Sequence, residues 1–197
     1  MQRATPPFDI VAFAASAGGV FALTETLGHL PEQFPASVVV VQHLDPRHES
    51  LMPQIFARRC SLPVAQAVQG REVEPGHIYL APPDHHMLID RDGTITLTRT
   101  ELVNFVRPSA DLLFESVAAA YGERAIAVVM TGSGRDGSLG VTAIKKRGGT
   151  VIAQDRDSSE FFSMPEAAIK TGTVDFVLAL DEIAGALVTL VAGRLTD

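Results

Sequence analysis

The feature that most constrains the fold is a repeated unit: a short apolar run, a small polar turn, and then a segment with helical periodicity. Residues 10–13 form one such run, and the apolar residues after it recur at steps of three and four up to Leu30. Runs of the same kind lie at 37–42 and 125–130. Runs without polar alternation are typical of strands covered on both faces, as in parallel sheets. The pattern therefore predicts an α/β fold, with a doubly wound, mostly parallel sheet flanked by helices on both faces.

The segment 77–99 departs from this alternation. Its apolar runs are short, and the turn Asp90-Arg91-Asp92-Gly93 separates two of them. An Asp-Gly pair between such runs is a hairpin signal. We therefore expect an antiparallel hairpin excursion around 77–99, which would make the sheet mixed.

Composition bounds the class of protein. With 197 residues, 46% of them hydrophobic, the chain can bury a core, and we expect one domain over 1–197 with its core at about 9–192. A net charge of -7 gives no electrostatic footprint for nucleic acid or an anionic membrane. Cys60 is the single cysteine, so no intrachain disulfide forms, and no apolar run approaches the ~18 residues of a membrane span. We therefore expect a cytoplasmic protein with neither a nucleic-acid partner nor direct membrane insertion.

Three polar residues follow three of the predicted strands: Ser16, His43 and Asp136. Because parallel strands point their carboxyl ends the same way, these side chains should share one edge of the sheet, where such folds bind ligands. A serine becomes a useful nucleophile when a base takes its proton, and imidazole titrates in the right range. A carboxylate on the other ring nitrogen fixes the tautomer and stabilises the imidazolium. The spacing therefore favours a Ser-His-Asp catalytic triad.

Each of these residues also has a local interpretation. Ser16 lies in a Gly/Ser turn that suits a phosphate as well as an oxyanion, and its hydroxyl could cap the following helix. His43 could bond to backbone, and Asp136 could cap the helix that opens at Gly137. A metal site is a further alternative, with His43, His48, Asp45 and Glu49 in one loop or the adjacent pair His85-His86 as ligands. Both sets have poor chelating geometry, so we expect no metal and no cofactor.

At these residues the chain resembles the catalytic domain of the chemotaxis protein-glutamate methylesterase family, CheB. The resemblance extends from about residue 9 to about 190. It rests on a combination of short motifs: Ala15-Ser16-Ala17-Gly18-Gly19, Val41-Gln42-His43, Leu80-Ala81-Pro82-Pro83 with His86-Met87, Arg107-Pro108-Ser109 with Asp111 and Phe114, Thr131-Gly132-Ser133-Gly134-Arg135-Asp136-Gly137, and Met164-Pro165. The serine, histidine and aspartate of the family match Ser16, His43 and Asp136.

The resemblance implies hydrolysis of glutamate γ-methyl esters on the cytoplasmic helices of methyl-accepting chemoreceptors, with receptor glutamine deamidation as a possible second activity. It assigns attack on the ester to Ser16 and proton transfer to His43, with Asp136 ionised throughout. Backbone N–H groups at Ala17, Gly132 and Ser133 would hold the oxyanion.

Departures from the family pattern leave other interpretations open. Family members often have threonine at Ala17 and methionine at Ser133, and we expect these differences to change substrate fit more than reaction class. They also carry an amino-terminal receiver domain, for which the eight residues before the first strand leave no room, so a chemosensory regulator supplied in trans is one expectation. Two alternatives to a methylesterase are a serine esterase with another substrate and a non-catalytic module that binds receptor helices or a phosphorylated ligand.

Overall fold

The protein is described by a computed structural model covering residues 9–44 and 50–193. It contains nine strands, which in chain order are β1 Ile10–Ala15, β2 Ser37–Gln42, β3 Val64–Gln66, β4 Ile78–Leu80, β5 His86–Ile89, β6 Ile95–Thr98, β7 Ala125–Val129, β8 Thr150–Gln154 and β9 Phe176–Leu178. Seven of them form one sheet in the order β3-β4-β2-β1-β7-β8-β9. Every neighbouring pair in this sheet is parallel.

Six helices cover both faces of the sheet: α1 Gly19–Gly28, α2 Met52–Ala57, α3 Ala110–Tyr121, α4 Ser138–Lys146, α5 Ser163–Ile169 and α6 Leu180–Ala192. Alternate residues of β1 point to opposite sides, because side chains in a strand alternate between faces. Val11 and Phe13 pack in a core with α1, α2 and α6, while Ala12 and Ala14 belong to the core formed with α3, α4 and α5. The doubly wound α/β prediction is confirmed.

The predicted mixed sheet is wrong. Strands β5 and β6 do form an antiparallel hairpin, but they make a separate two-stranded sheet. It packs beside α3, where the backbone N–H of Ile89 donates to the hydroxyl of Ser116 at 3.0 Å. β4, which we placed in the excursion, is a fully buried parallel strand of the main sheet beside β2. Its three residues are too few for periodicity to distinguish the two arrangements.

The register of the central strands determines where the functional residues lie. Ala15 pairs with Gln42, and Ala14 pairs with Val129. The residues that follow these three strand ends are Ser16, His43 and the loop from Met130 to Gly137. The parallel sheet therefore brings all three to its carboxyl edge. The lead-in at 1–8 and the polar loop at 45–49, including His48, Asp45 and Glu49, lie outside the described residues.

Candidate active site

The Ser16 turn is held by backbone hydrogen bonds. The Ser16 N–H donates to the carbonyl of Thr131 at 3.0 Å, and the Ser16 carbonyl accepts the N–H of Gly19 at 2.9 Å. Gly18 has a φ of 74°, a left-handed conformation that favours glycine and that allows the chain to reverse into α1. The Ser16 hydroxyl forms no hydrogen bond with another described residue, His43 included. The turn thus fixes the backbone of Ser16 and leaves its hydroxyl without a protein partner among these residues.

Gln42 ties this turn to the neighbouring strand. Its side-chain nitrogen donates to the carbonyls of Ser16, at 2.7 Å, and His43, at 3.0 Å. Gln42 is only 6% exposed, so these bonds lie inside the protein, where they are stronger than in water. Sequence reasoning quoted Gln42 as part of a motif but gave it no role. A lone polar residue closing a four-valine strand was the available signal.

His43 and Asp136 contact each other directly. His43 Nε2 lies 2.9 Å from Asp136 Oδ2, and the side chains are 12% and 3% exposed. The other ring nitrogen, Nδ1, therefore remains for the task of accepting a proton. Asp136 comes from the loop after β7, 93 positions away from His43.

Asp136 is also bound to the amino-terminal end of α3. Its Oδ2 accepts the N–H of Ala110 at 2.6 Å, and its Oδ1 accepts the Ser109 hydroxyl at 2.9 Å and the N–H of Asp111 at 3.2 Å. Burial alone would raise the pKa of Asp136, but the hydrogen bonds from His43 and Ala110 outweigh it and hold the pKa below its ordinary value. The carboxylate is therefore kept ionised beside the imidazole.

A second buried carboxylate lies next to the first. Asp111 Oδ1 accepts the N–H groups of Leu139 and Gly140 at 2.9 and 2.8 Å, so it caps α4. Burial raises the pKa of Asp111, and the charge of Asp136 adds to the effect. Asn104 bridges the pair, since its Nδ2 donates to Asp111 Oδ2 at 2.8 Å and lies 3.4 Å from Asp136 Oδ1. Sequence reasoning missed Asn104, because its positive φ of 50° and its partners depend on tertiary contacts.

The glycine-rich loop approaches the serine closely. A β-carbon at Gly132 would lie 2.8 Å from Ser16 Cβ and 2.3 Å from Met164 Sδ, so only glycine fits. The N–H of Gly132 donates to the carbonyl of Phe161 at 2.8 Å, so in this arrangement it is not available to an oxyanion. The N–H groups of Ala17 and Ser133 donate to no oxygen of the described residues. Gly132 thus provides space, and the two other predicted donors have unused N–H groups.

Both histidines of the adjacent pair in the metal alternative, His85 and His86, make hydrogen bonds within the protein. His86 is fully buried, with the N–H of Ser109 donating to its Nδ1 and its Nε2 on the carbonyl of Glu101. His85 accepts a hydrogen bond from Arg99 Nε at 3.1 Å. Over residues 9–44 and 50–193 no three His, Cys, Asp or Glu side chains gather as a metal site would need. In the same ranges no helix is long and apolar enough to cross a membrane.

The sequence and the fold of this chain are similar to those of known proteins. The family model for CheB methylesterase matches residues 11–187. The crystal structure of the Thermotoga maritima CheB methylesterase catalytic domain superposes with a TM-score of 0.88 at 36% identity, covering 92% of this chain and 97% of that one. The two chains therefore share the fold throughout.

Curated relatives match over nearly the whole of this chain but differ in length. The protein-glutamate methylesterase/protein-glutamine glutaminase of Pyrococcus abyssi is 41% identical over 97% of this chain and 53% of its own length. The protein of the same name from Moorella thermoacetica is 39% identical, over 95% of this chain and 45% of its own. This chain thus spans about half the length of both. A relative from Leptospira interrogans is 37% identical over 93% of this chain and 95% of its own length.

These matches extend over the segments that carry the Ser16 turn, the His43–Asp136 pair and the glycine-rich loop. The family model accounts for well over half of the chain, and the solved catalytic domain has the same fold. The chain therefore belongs to the CheB methylesterase family.

Proposed function

We propose that this protein is a serine hydrolase that removes the methyl group from glutamate γ-methyl esters on the cytoplasmic helices of chemoreceptors, through Ser16, His43 and Asp136. The observation that carries the proposal is the 2.9 Å contact between His43 and Asp136, at the sheet edge where the neighbouring strand ends in Ser16. Membership in the CheB methylesterase family and the names of the curated relatives give the substrate class.

The first step is acylation of the serine. His43 Nδ1 takes the proton of Ser16 as its oxygen bonds to the ester carbonyl carbon, and the carbonyl oxygen becomes an oxyanion. Asp136 accepts the N–H at Nε2 and stabilises the imidazolium that forms. The tetrahedral intermediate then expels methoxide, which takes the proton from Nδ1 and leaves as methanol. Closing the distance between the Ser16 hydroxyl and Nδ1 accompanies substrate binding, as catalytic hydrogen bonds often tighten only in the complex.

The second step releases the acyl group. Nδ1 removes a proton from water, the resulting hydroxide adds to the acyl carbon, and Ser16 leaves with that proton. The product is a glutamate carboxylate. A glutamine amide follows the same path with ammonia as the leaving group, which accounts for a second, deamidating activity.

The oxyanion requires donors that are aimed at it before the reaction. The N–H groups of Ala17 and Ser133 are the candidates, since both are unused among the described residues and both flank Ser16. They are main-chain groups, so the substitution of Ala17 and Ser133 for the residues common in the family leaves them in place. A chemosensory regulator acting in trans stays a prediction.

The test is methanol release from a methylated receptor cytoplasmic fragment by the parent and by Ser16→Ala at equal concentration. We expect release by the parent and a loss of at least about 10³-fold in the variant, because only background catalysis by binding and the oxyanion site remains. Ser61→Ala is the matched control, because it removes an exposed hydroxyl between α2 and β3, outside the candidate active site. We expect it to stay within about threefold of the parent, or ~0.7 kcal/mol of barrier.

Equal release by the parent and Ser16→Ala would remove Ser16 from the mechanism. Absence of release by the parent, with binding of the fragment retained, would favour the non-catalytic binding module. Absence of both, with turnover of a small ester, would favour a serine esterase with another substrate.

A further inference from the structure

One exposed aromatic residue beside the candidate active site has no structural function among the described residues. Phe105 is 95% exposed and has a φ of 65°. It lies in a two-residue turn, which we call the Phe105 turn (residues 103–106), closed by N–H to carbonyl bonds between Val103 and Val106 in both directions, at 3.2 and 3.0 Å. Turns of this type favour Asn-Gly, and here a bulky side chain stands where glycine would be unstrained. The protein thus accepts both backbone strain and an exposed aromatic ring at a single position.

The base of the turn is firmly held. Arg107 Nε donates to Asp84 Oδ1 at 3.0 Å, and Arg107 Nη1 donates to the carbonyls of Thr100 and Arg99 at 2.6 and 3.3 Å. The residue before Phe105, Asn104, is bonded to the carboxylates of Asp111 and Asp136. Phe105 is therefore presented on a rigid support, two hydrogen bonds away from His43.

A second exposed aromatic ring stands at the nucleophile end of the site. Phe161 is 42% exposed, and its carbonyl accepts the N–H of Gly132, the residue that packs against Ser16. Phe105 is adjacent in the chain to Asn104, which contacts Asp136, and Phe161 is linked through Gly132 to Ser16. Arg135, in the loop after β7 next to Asp136, is exposed.

We propose that Phe105 is an anchor for the substrate helix: its ring packs against an apolar side chain of the receptor helix within one or two turns of the reacting glutamate. This inference rests on the proposed function. Exposed aromatic residues on rigid supports are common anchors of interfaces, and strain at such a residue points to function. A helix with free glutamate carboxylates beside the ester complements the charge of Arg135.

The decisive variant is Phe105→Gly, which relieves the strain while it removes the ring. With a methylated receptor cytoplasmic fragment we expect KM to rise about tenfold, the effect of losing one interface anchor. With 4-nitrophenyl acetate, which has no helix for the anchor to contact, we expect kcat/KM to stay within about twofold of the parent. The melting temperature should rise by about 2–4 °C, since glycine suits a positive φ. Phe176→Ala, at an exposed phenylalanine of β9 far from the site, is the matched control. It should change KM and kcat/KM by no more than about twofold and should not raise the melting temperature.

An unchanged KM for the fragment would overturn the proposal. An equal loss of kcat/KM on both substrates would overturn it too, because Phe105 would then act through the catalytic centre. A fall in melting temperature would also overturn it, because it would mean that Phe105 has a structural role. The Kd of the fragment for the parent and for Phe105→Gly separates this inference from the proposed function. If the parent releases no methanol, the proposed function fails. In that case, weaker binding of the fragment by Phe105→Gly than by the parent still supports the anchor. Equal binding by the two proteins, or no binding by either, overturns the anchor.

Discussion

Asp136 and Asp111 are two buried carboxylates with nearly the same surroundings and opposite behaviour. Each accepts backbone N–H groups at the first turn of a helix: Asp136 at α3 and Asp111, itself part of α3, at α4. They share Asn104 as a donor, and they are 3% and 2% exposed. Yet the pKa of Asp136 is lowered and the pKa of Asp111 is raised.

The difference comes from the imidazole. Burial raises the pKa of both carboxyls, and the helix amides lower it in both. Only Asp136 has His43 at 2.9 Å, whereas the nearest charge to Asp111 is the anion of Asp136. Helix amides bind both carboxyl groups, and the hydrogen bond and charge of His43 account for the lowered pKa of Asp136 alone. This suits Asp136 for stabilising a protonated His43 and Asp111 for a structural role.

The largest expected effect comes from Asp136→Asn. The amide keeps the shape but cannot stabilise the imidazolium or maintain the reactive tautomer, so kcat for methanol release should fall by about 10⁴-fold. Asp111→Asn is the matched control and should lower kcat by no more than about tenfold, or ~1.4 kcal/mol of barrier. Equal losses of kcat in the two variants would show that the carboxylates act as one unit and would contradict the separate roles of Asp136 and Asp111.

The second effect is on acid stability, and its sign differs between the two residues. The lowered pKa of Asp136 gives a contribution to the free energy of unfolding that is present above about pH 3.9 and is lost as the pH falls through the folded value. The raised pKa of Asp111 works in reverse, because ionising it in the folded state costs stability as the pH rises from about 3.9 to its folded value.

Urea unfolding between about pH 3 and 6 measures both contributions as differences between the parent and each variant. The difference in the free energy of unfolding between the parent and Asp136→Asn should shrink as the pH falls below about 4. The corresponding difference between the parent and Asp111→Asn should shrink as the pH rises above about 4. Slopes of the same sign would contradict the assignment.

The smallest effect is expected at Asn104, which connects the two carboxylates. Asn104→Gly removes the shared donor but suits the φ of 50°. It should lower the free energy of unfolding by about 1–2 kcal/mol, mostly through the 2.8 Å bond to Asp111, and change kcat less than about threefold. Asn104→Ala makes the same loss and adds backbone strain, so alanine should destabilise more than glycine. A loss below about 0.5 kcal/mol in Asn104→Gly would mean that the hydrogen bonds contribute little.

The fold was largely predictable where strands are buried on both faces. The four central valines of β2 and the run of β7 are short and rich in β-branched residues, which favours a buried strand over a helix. β3 and β4 have three residues each, and β9 is exposed at two of its three positions, so local periodicity carries little information there. α5 has no side-chain cap, and the hydroxyl of Ser163 in its first turn donates to the Gly132 carbonyl instead.

The position of Ser16, His43 and Asp136 at one sheet edge was predictable, and the hydrogen bonds around them were not. The three strand ends at Ser16, His43 and Asp136 follow from the parallel sheet alone. Capping of the next helix was the natural local interpretation of Asp136, yet its carboxylate binds the start of α3, and α4 is capped by Asp111. Each carboxylate thus binds the start of a helix about 25 positions away in the chain, and no pattern in a single sequence predicts such a long-range contact.

The order of the central strands, β2-β1-β7, also decides when the protein can become active during synthesis. In the proposed mechanism the partners of Ser16 come from positions 43 and 136, so the site depends on long-range pairing between the first strand and one that emerges from the ribosome more than a hundred residues later. Contacts between residues so far apart in the chain form late and slowly. At about 5–20 residues per second, several seconds pass between the emergence of the serine and that of its acid. In a chain that ends before residue 136, Ser16 therefore lacks its proposed partners, and the proposed site forms only after β7 has paired with β1.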